Sequence, residues 1–221
     1  MKTQTQPKTV HTPVLIVIGV MALVLGVLVW FTINSSSAQK TLPADLAATY
    51  LPQGKPITGV NLVDHNNQPF TETRFKGKWN FLFFGFTNCP DICPTTLLVM
   101  KSVWAKLPKT GEVATPAQMY FVSVDPNRDT PDKLKNYVQY YQKDFVGVTG
   151  KLDNIDMLTN QLNVLYGYED AEEGSTNYVV NHSSQIILVD PKGQMRAVLS
   201  TPHIPEEIVK SFKAIQAYYS G

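Results

Sequence analysis

An apolar run over residues 79–84 leads through Gly85 to Cys89 and Cys93, and then into a segment with helical spacing. A continuous apolar run suits a strand buried on both faces of a sheet. Beyond the cysteines, Leu97, Leu98, Met100, Val103, Trp104 and Leu107 recur at the spacing of one helix face. The pattern predicts a helix over 94–107. Pro94 would take its first position, where a missing N–H costs nothing. The chain must therefore fold so that a core strand delivers two thiols to a helix N-terminus. The partial positive charge there favours thiolate over thiol. Cys93, nearer the helix, is expected to be the more acidic of the two. Cysteines four residues apart in a helix or turn also lie within disulfide reach, Cα atoms about 4.4–6.8 Å apart. The pair can bind a soft metal, or it can cycle between dithiol and disulfide.

The rest of the chain reads around that unit. Residues 57–63 alternate and predict a strand, 64–68 a turn and 70–75 a returning strand. Residues 119–124 predict a second core strand. The turn 125–131 leads into a helix capped by Asp129 or Thr130, with Pro131 at its first position. Residues 147–150 read as a break, 155–165 as an amphipathic helix and 169–177 as an acidic loop. A strand over 185–190, a turn at 191–193, a hairpin partner over 195–199 and a helix over 205–218 complete the chain. Strands alternating with helices, closed by a hairpin and helix, predict an α/β domain with a mixed sheet. The order fits a thioredoxin-like fold with an added N-terminal β-hairpin.

Residues 14–33 are almost wholly apolar, the length that spans a hydrocarbon core of about 30 Å. Lys2 and Lys8 precede this stretch, and the next lysine or arginine is Lys40. That bias predicts a single-pass anchor with its N-terminus inside. The expected layout is a cytoplasmic leader (1–13), a transmembrane helix (14–33), a tether (34–56) and an extracytoplasmic domain (57–221). A cleaved signal peptide is the alternative, since Ser36-Ser37-Ala38 resembles a cleavage site. The apolar stretch is longer than the usual apolar core of a signal, about 7–15 residues. With no arginine-rich leader, the reading is a bacterial inner-membrane protein whose domain faces the periplasm.

Nineteen basic and 18 acidic residues are interspersed without a basic cluster, which argues against a nucleic-acid partner. Two cysteines among 221 residues cannot make a disulfide scaffold. Thiolates select Cu(I), zinc or iron–sulfur clusters, and imidazole suits copper and zinc. A metal site needs a third ligand from the four histidines. His11 lies in the leader, His65 in a polar turn and His203 between prolines after the last hairpin. His182 immediately precedes the strand 185–190. In a thioredoxin-like fold the loop entering that strand faces the active-site turn, so His182 is the strongest candidate. Other readings stand beside this one: a plain disulfide, a surface histidine, or zinc with His203 as a fourth ligand. Asp125 and Asp129 read as turn and cap residues.

The segment 84–97, FGFTNCPDICPTTL, resembles the signature of the Sco/SenC family of copper proteins, with Cys-Pro-Asp-x-Cys-Pro at 89–94. VSVDPNRDTP at 122–131 resembles a second family block. Asn181-His182-Ser183-Ser184, followed by a strand and DPKG at 190–193, resembles the block that carries the family's histidine ligand. The likeness covers roughly residues 57–219. It departs at Asn88, where many members carry histidine. The resemblance implies one copper ion per monomer, Cu(I) or Cu(II), held by Cys89, Cys93 and His182. It implies a metallochaperone rather than an enzyme, delivering copper to the dinuclear copper site of cytochrome c oxidase subunit II. Thiol–disulfide chemistry at Cys89 and Cys93 on that target, an unidentified copper donor and a monomeric state go with it. The principal rival is a membrane-anchored thiol–disulfide oxidoreductase. Its usual Cys-x-x-Cys has one fewer intervening residue. A peroxiredoxin-like peroxidase would place a threonine three positions before its cysteine, whereas Thr87 stands two before Cys89.

Overall fold

A computed structural model describes residues 12–34, 46, 49–108, 116–169 and 178–219. The chain divides into two compact units, Met1–Thr41 and Leu42–Gly221. In the first, helix α1 runs Thr12–Asn34. Its described side chains, 16–30, are all exposed. Among the described residues, no helix is long and apolar enough to cross a membrane. The leader before residue 12 and the candidate cleavage site at 36–38 lie outside the described residues.

The second unit is a mixed sheet between two layers. Strands β1 (Tyr50–Pro56), β2 (Leu62–Asp64), β3 (Pro69–Phe70), β4 (Trp79–Gly85), β5 (Ala117–Ser123) and β6 (Val146–Thr149) come first. Strands β7 (Tyr166–Glu169), β8 (Val179–His182), β9 (Ile186–Val189) and β10 (Gln194–Leu199) follow. The helices are α2 (Ile92–Lys106), α3 (Pro131–Tyr141), α4 (Leu152–Leu162) and α5 (Pro205–Tyr219). The main sheet has the order β1-β10-β9-β4-β5-β6-β2-β3, and β7 and β8 form a separate two-stranded ribbon. Strands β4, β5 and β6 run parallel, and β9 lies antiparallel to β4. This is the expected thioredoxin-like arrangement. The N-terminal hairpin β2–β3 extends the sheet through β6.

Strand β4 is buried along its whole length. Phe81 and Phe83 face one core with Leu97 and Met100 of α2 and Phe212 of α5. Leu82 and Phe84 face the other with Leu158 of α4 and Val180 of the ribbon. Two-sided burial is why the run is continuous rather than alternating, and each such side chain stabilises the fold by about 1.5–3 kcal/mol.

Several boundaries differ from expectation. Residues 50–56, placed in the tether because the segment shows no sustained period, form β1 and pair with β10. Arg196 of β10 explains this: it donates to the carbonyls of Leu51 and Pro52 at 3.1 and 2.7 Å. The returning strand expected over 70–75 is only Pro69–Phe70, followed by a 3-10 turn over Glu72–Phe75. The break expected at 147–150 is largely β6. Its glycine is there for packing, since a Cβ on Gly147 would stand 2.8 Å from Leu134 Cβ of α3. Helix α2 starts at Ile92, two residues before Pro94, because the first-turn N–H groups lack intrahelical acceptors and proline is tolerated among them. The cap of α3 falls to Thr130, whose side chain accepts from Lys133 N at 3.3 Å.

Candidate metal centre

The turn between β4 and α2 brings Cys89 to the rim and turns Cys93 inward. Cys93 is fully buried, while Cys89 is partly exposed. The N–H of Cys93, in the first turn of α2, donates to Cys89 Sγ at 3.5 Å. Gly85 makes room beneath them: a Cβ there would stand 2.4 Å from Cys93 Sγ and 3.0 Å from Phe121 Cε2. The strand can end under the thiol only because residue 85 has no side chain.

His182 reaches the pair from the end of β8, a strand where the sequence predicts a loop. Its Nε2 lies 3.3 Å from Cys93 Sγ, and its Nδ1 lies 3.0 Å from the carbonyl oxygen of Ser183. A carbonyl only accepts, so Nδ1 carries the proton and Nε2 keeps its lone pair towards the sulfur. Phe83 and Phe86 meet the imidazole edge-on, with centroids at 6.2 and 5.8 Å. One ligand atom from each of Cys89, Cys93 and His182 lies within 4.8 Å of the other two.

The two thiols differ sharply in acidity. Hydrogen bonds from the Cys93 side chain, then from the N–H groups of Cys93 and Asp91, hold Cys89 far below the usual thiol range against the opposing effect of burial. The neighbouring Cys89 thiolate and burial push Cys93 up. This reverses the expectation that Cys93 would be the more acidic. Proximity to the helix is not the deciding quantity. The first-turn amide points at the residue just outside the helix, and the residue inside it faces an apolar core.

Around the thiols, Asp129 does something its position in a turn did not reveal. It is buried, and accepts from Thr87 N at 3.0 Å, Thr87 Oγ1 at 2.5 Å and Ser123 Oγ at 2.7 Å. It thereby pins the backbone two residues before Cys89. Asn88 accepts from Lys133 Nζ at 2.8 Å, so its side chain faces α3 rather than the sulfurs.

The other described histidines are engaged elsewhere. His65 is buried, not exposed in a polar turn, and its Nδ1 accepts from Gly147 N at 3.0 Å. Burial pushes its pKa down. His203 Nε2 is 2.7 Å from the carbonyl oxygen of Ser184. The expected zinc alternative needs four protein ligands. Among the described residues, this centre offers three. Two soft sulfurs and one imidazole with a free lone pair suit Cu(I) in low coordination. A cavity of about 430 Å³ opens beside Cys89 and His182, lined also by Phe86, Ile92, Arg128 and Tyr178. The centre is therefore reachable from one side.

With that geometry in place, comparison with known proteins is specific. The family model described as SCO1/SenC matches residues 54–217. A protein of Stutzerimonas stutzeri named for copper binding is 41% identical over 152 residues, 69% of this chain and 72% of its own. Arabidopsis thaliana ScoI, solved with copper bound, is 30% identical with a TM-score of 0.65, over 75% of this chain and 99% of that one. Yeast Sco1 with copper bound is 30% identical with a TM-score of 0.62, over 72% and 89%.

Proposed function

From the premise that this chain belongs to the SCO1/SenC family, we propose that it is a copper-binding protein of cytochrome c oxidase assembly. Cys89, Cys93 and His182 hold the ion, one per monomer, for the dinuclear copper site of subunit II. The observation that supports this most is the convergence of two sulfurs and an unprotonated imidazole nitrogen within 4.8 Å beside an open cavity. Three ligands leave the metal open on one flank. A thiolate of the target can enter there, and copper passes by exchange of ligands, one bond forming as another breaks.

A thiol–disulfide role on the same target is a second reading, favoured by the pairing of a partly exposed thiolate with a buried thiol. Cys89 would attack one sulfur of a target disulfide, expelling the other as thiolate. Cys93 would then displace the second target thiol, leaving Cys89–Cys93 oxidised and the target reduced by two electrons. Cys93 N–H at 3.5 Å from Cys89 Sγ stabilises the attacking thiolate.

His182→Ala separates the two. Removing one of three ligands should cost more than a hundredfold in Cu(I) affinity and abolish oxidase maturation. The Cys89–Cys93 disulfide should still form, because their own spacing allows it. Parental affinity in a competition titration would exclude His182 as a ligand. Parental oxidase maturation as well would favour the redox reading. We also propose that the apolar stretch 14–33 anchors the chain with the domain outside the cytoplasm. A reporter fused after Gly221 should be active only on the outer face, and recovery of the protein in the soluble periplasmic fraction would refute the anchor.

A further inference from the structure

Among the described residues, the ribbon that carries His182 has no strand neighbour in the main sheet. A lone two-stranded ribbon is marginal in water, so something else must fix the imidazole. The contacts converge on one turn, residues 124–129. Tyr178, the residue before β8, donates its hydroxyl to Asp125 Oδ1 at 2.5 Å. Arg128 Nη1 donates to the carbonyl oxygen of Tyr178 at 3.0 Å, and the guanidinium lies 3.8 Å over the Tyr178 ring. Arg128 Nε pairs with Asp125 Oδ2 at 2.5 Å, and the guanidinium also lies 5.6 Å from the centroid of Phe86, which meets His182 edge-on. On the other strand of the ribbon, Tyr168 donates its hydroxyl to the carbonyl of Val124. From the same turn, Asp129 grips Thr87 on the thiol side.

We infer that this turn is a bracket that sets the spacing between the imidazole and the two sulfurs, with Asp125, Arg128 and Tyr178 as positioning residues for His182. The inference rests on the copper reading above. One arm of the bracket ends two residues before Cys89 and the other four residues before His182. The planar fork of Arg128 contacts the Tyr178 carbonyl, the Tyr178 ring and the Asp125 carboxylate together, and lysine cannot reproduce that. The buried Arg128–Asp125 pair is retained here because it orients the ribbon, whatever its net stability.

The test uses the full chain, reduced and copper-free. Tyr178→Phe removes only the hydroxyl, and Arg128→Lys keeps the charge but loses the fork. Each should weaken Cu(I) binding by about 10–100-fold, the usual effect of removing an orienting partner of a metal ligand. The Cys89–Cys93 reduction potential should stay at the parental value in both. In a His182→Ala background, Tyr178→Phe should weaken copper no further, since its effect passes through the missing imidazole. Parental copper affinity in both single variants would overturn the bracket. So would an equal fold-loss with and without His182, because the effect would then reach copper through the thiols or the fold. If His182→Ala itself kept parental affinity, the copper reading would fail first and take this inference with it.

Discussion

Cys89 and Cys93 leave a strand that is paired on both sides and buried on both faces, whereas His182 ends a ribbon joined to the domain by side chains. The thiol half inherits its geometry from the sheet. Strand β4 pairs with β5 through seven registered positions and with β9 through four, and Gly85 clears the space where it ends. The histidine half has four registered pairs within its own ribbon, and beyond them depends on Val180 in the core, on tyrosines and on one arginine. On the copper reading proposed above, two ligands would sit on a fully paired strand and the third on a two-stranded ribbon. A metal carrier can use that division. On that reading the thiol pair would be the fixed half of the centre, and the ribbon would set how tightly the third bond closes.

The strongest challenge to that contrast is Gly85→Ala. The added Cβ would stand 2.4 Å from Cys93 Sγ, and Phe121 behind it cannot yield. Overpacking of this kind destabilises by about 1–3 kcal/mol. The variant should both melt earlier and lose copper affinity, because the sulfur is displaced. A variant with parental melting and parental copper binding would show that the thiol half is as adjustable as the ribbon.

A histidine in the β2–β3 turn, at the edge of the main sheet, sharpens the comparison. His65 joins the β2–β3 hairpin to β6, accepting from Gly147 N and donating its own N–H to Gly147 O at 2.8 Å. His65→Ala leaves a buried N–H without an acceptor, which costs about 1–3 kcal/mol of folding stability. Copper affinity should not change. The pH dependence has a definite sign. Burial lowers the folded-state pKa of His65 below the ordinary value of about 6.5. Below that ordinary value the unfolded chain takes up a proton that the folded chain refuses, so this contribution falls as pH drops towards the folded-state pKa. The parent should lose more stability than His65→Ala between pH 7 and 5 in denaturant titrations. Equal slopes would refute the assignment.

The smallest effect concerns the thiols themselves. In the reduced, copper-free chain, iodoacetamide should label Cys89 at pH values well below the ordinary thiol pKa of about 8.5, with Cys93 lagging at every pH. Mapping by mass spectrometry reads this directly. Faster labelling of Cys93 would mean that distance to the helix outweighs hydrogen bonding and burial, and would restore the order expected from the sequence.

Much of the architecture was legible because it is written in local periodicity. The run at β4, the helical spacing after Cys93, the Thr130-Pro131 start of α3 and the hairpin β9–β10 are all short-range patterns. The elements that were missed draw their structure from distant partners. Strand β1 has no sustained period of its own and is held by Arg196, about 145 residues away. Strand β6 is four residues long and contains a glycine that exists for Leu134. Strand β8 lies beside residues with no apolar alternation of their own.

The sequence by itself determined the chemistry of the centre: two soft sulfurs at a strand–helix turn, and few histidines to complete them. It could name His182 because the order of elements places that residue opposite the turn. Only the tertiary structure decided which thiol is acidic, since acidity depends on which sulfur receives the Cys93 amide and which is sealed in the core. Only the tertiary structure made Asp125, Asp129 and Arg128 more than turn residues. Their partners are 42 to 53 positions away in the chain. Residue type and spacing carry no record of such contacts, because hydrogen bonds and ring stacking act across space and are fixed only when the whole sheet has formed.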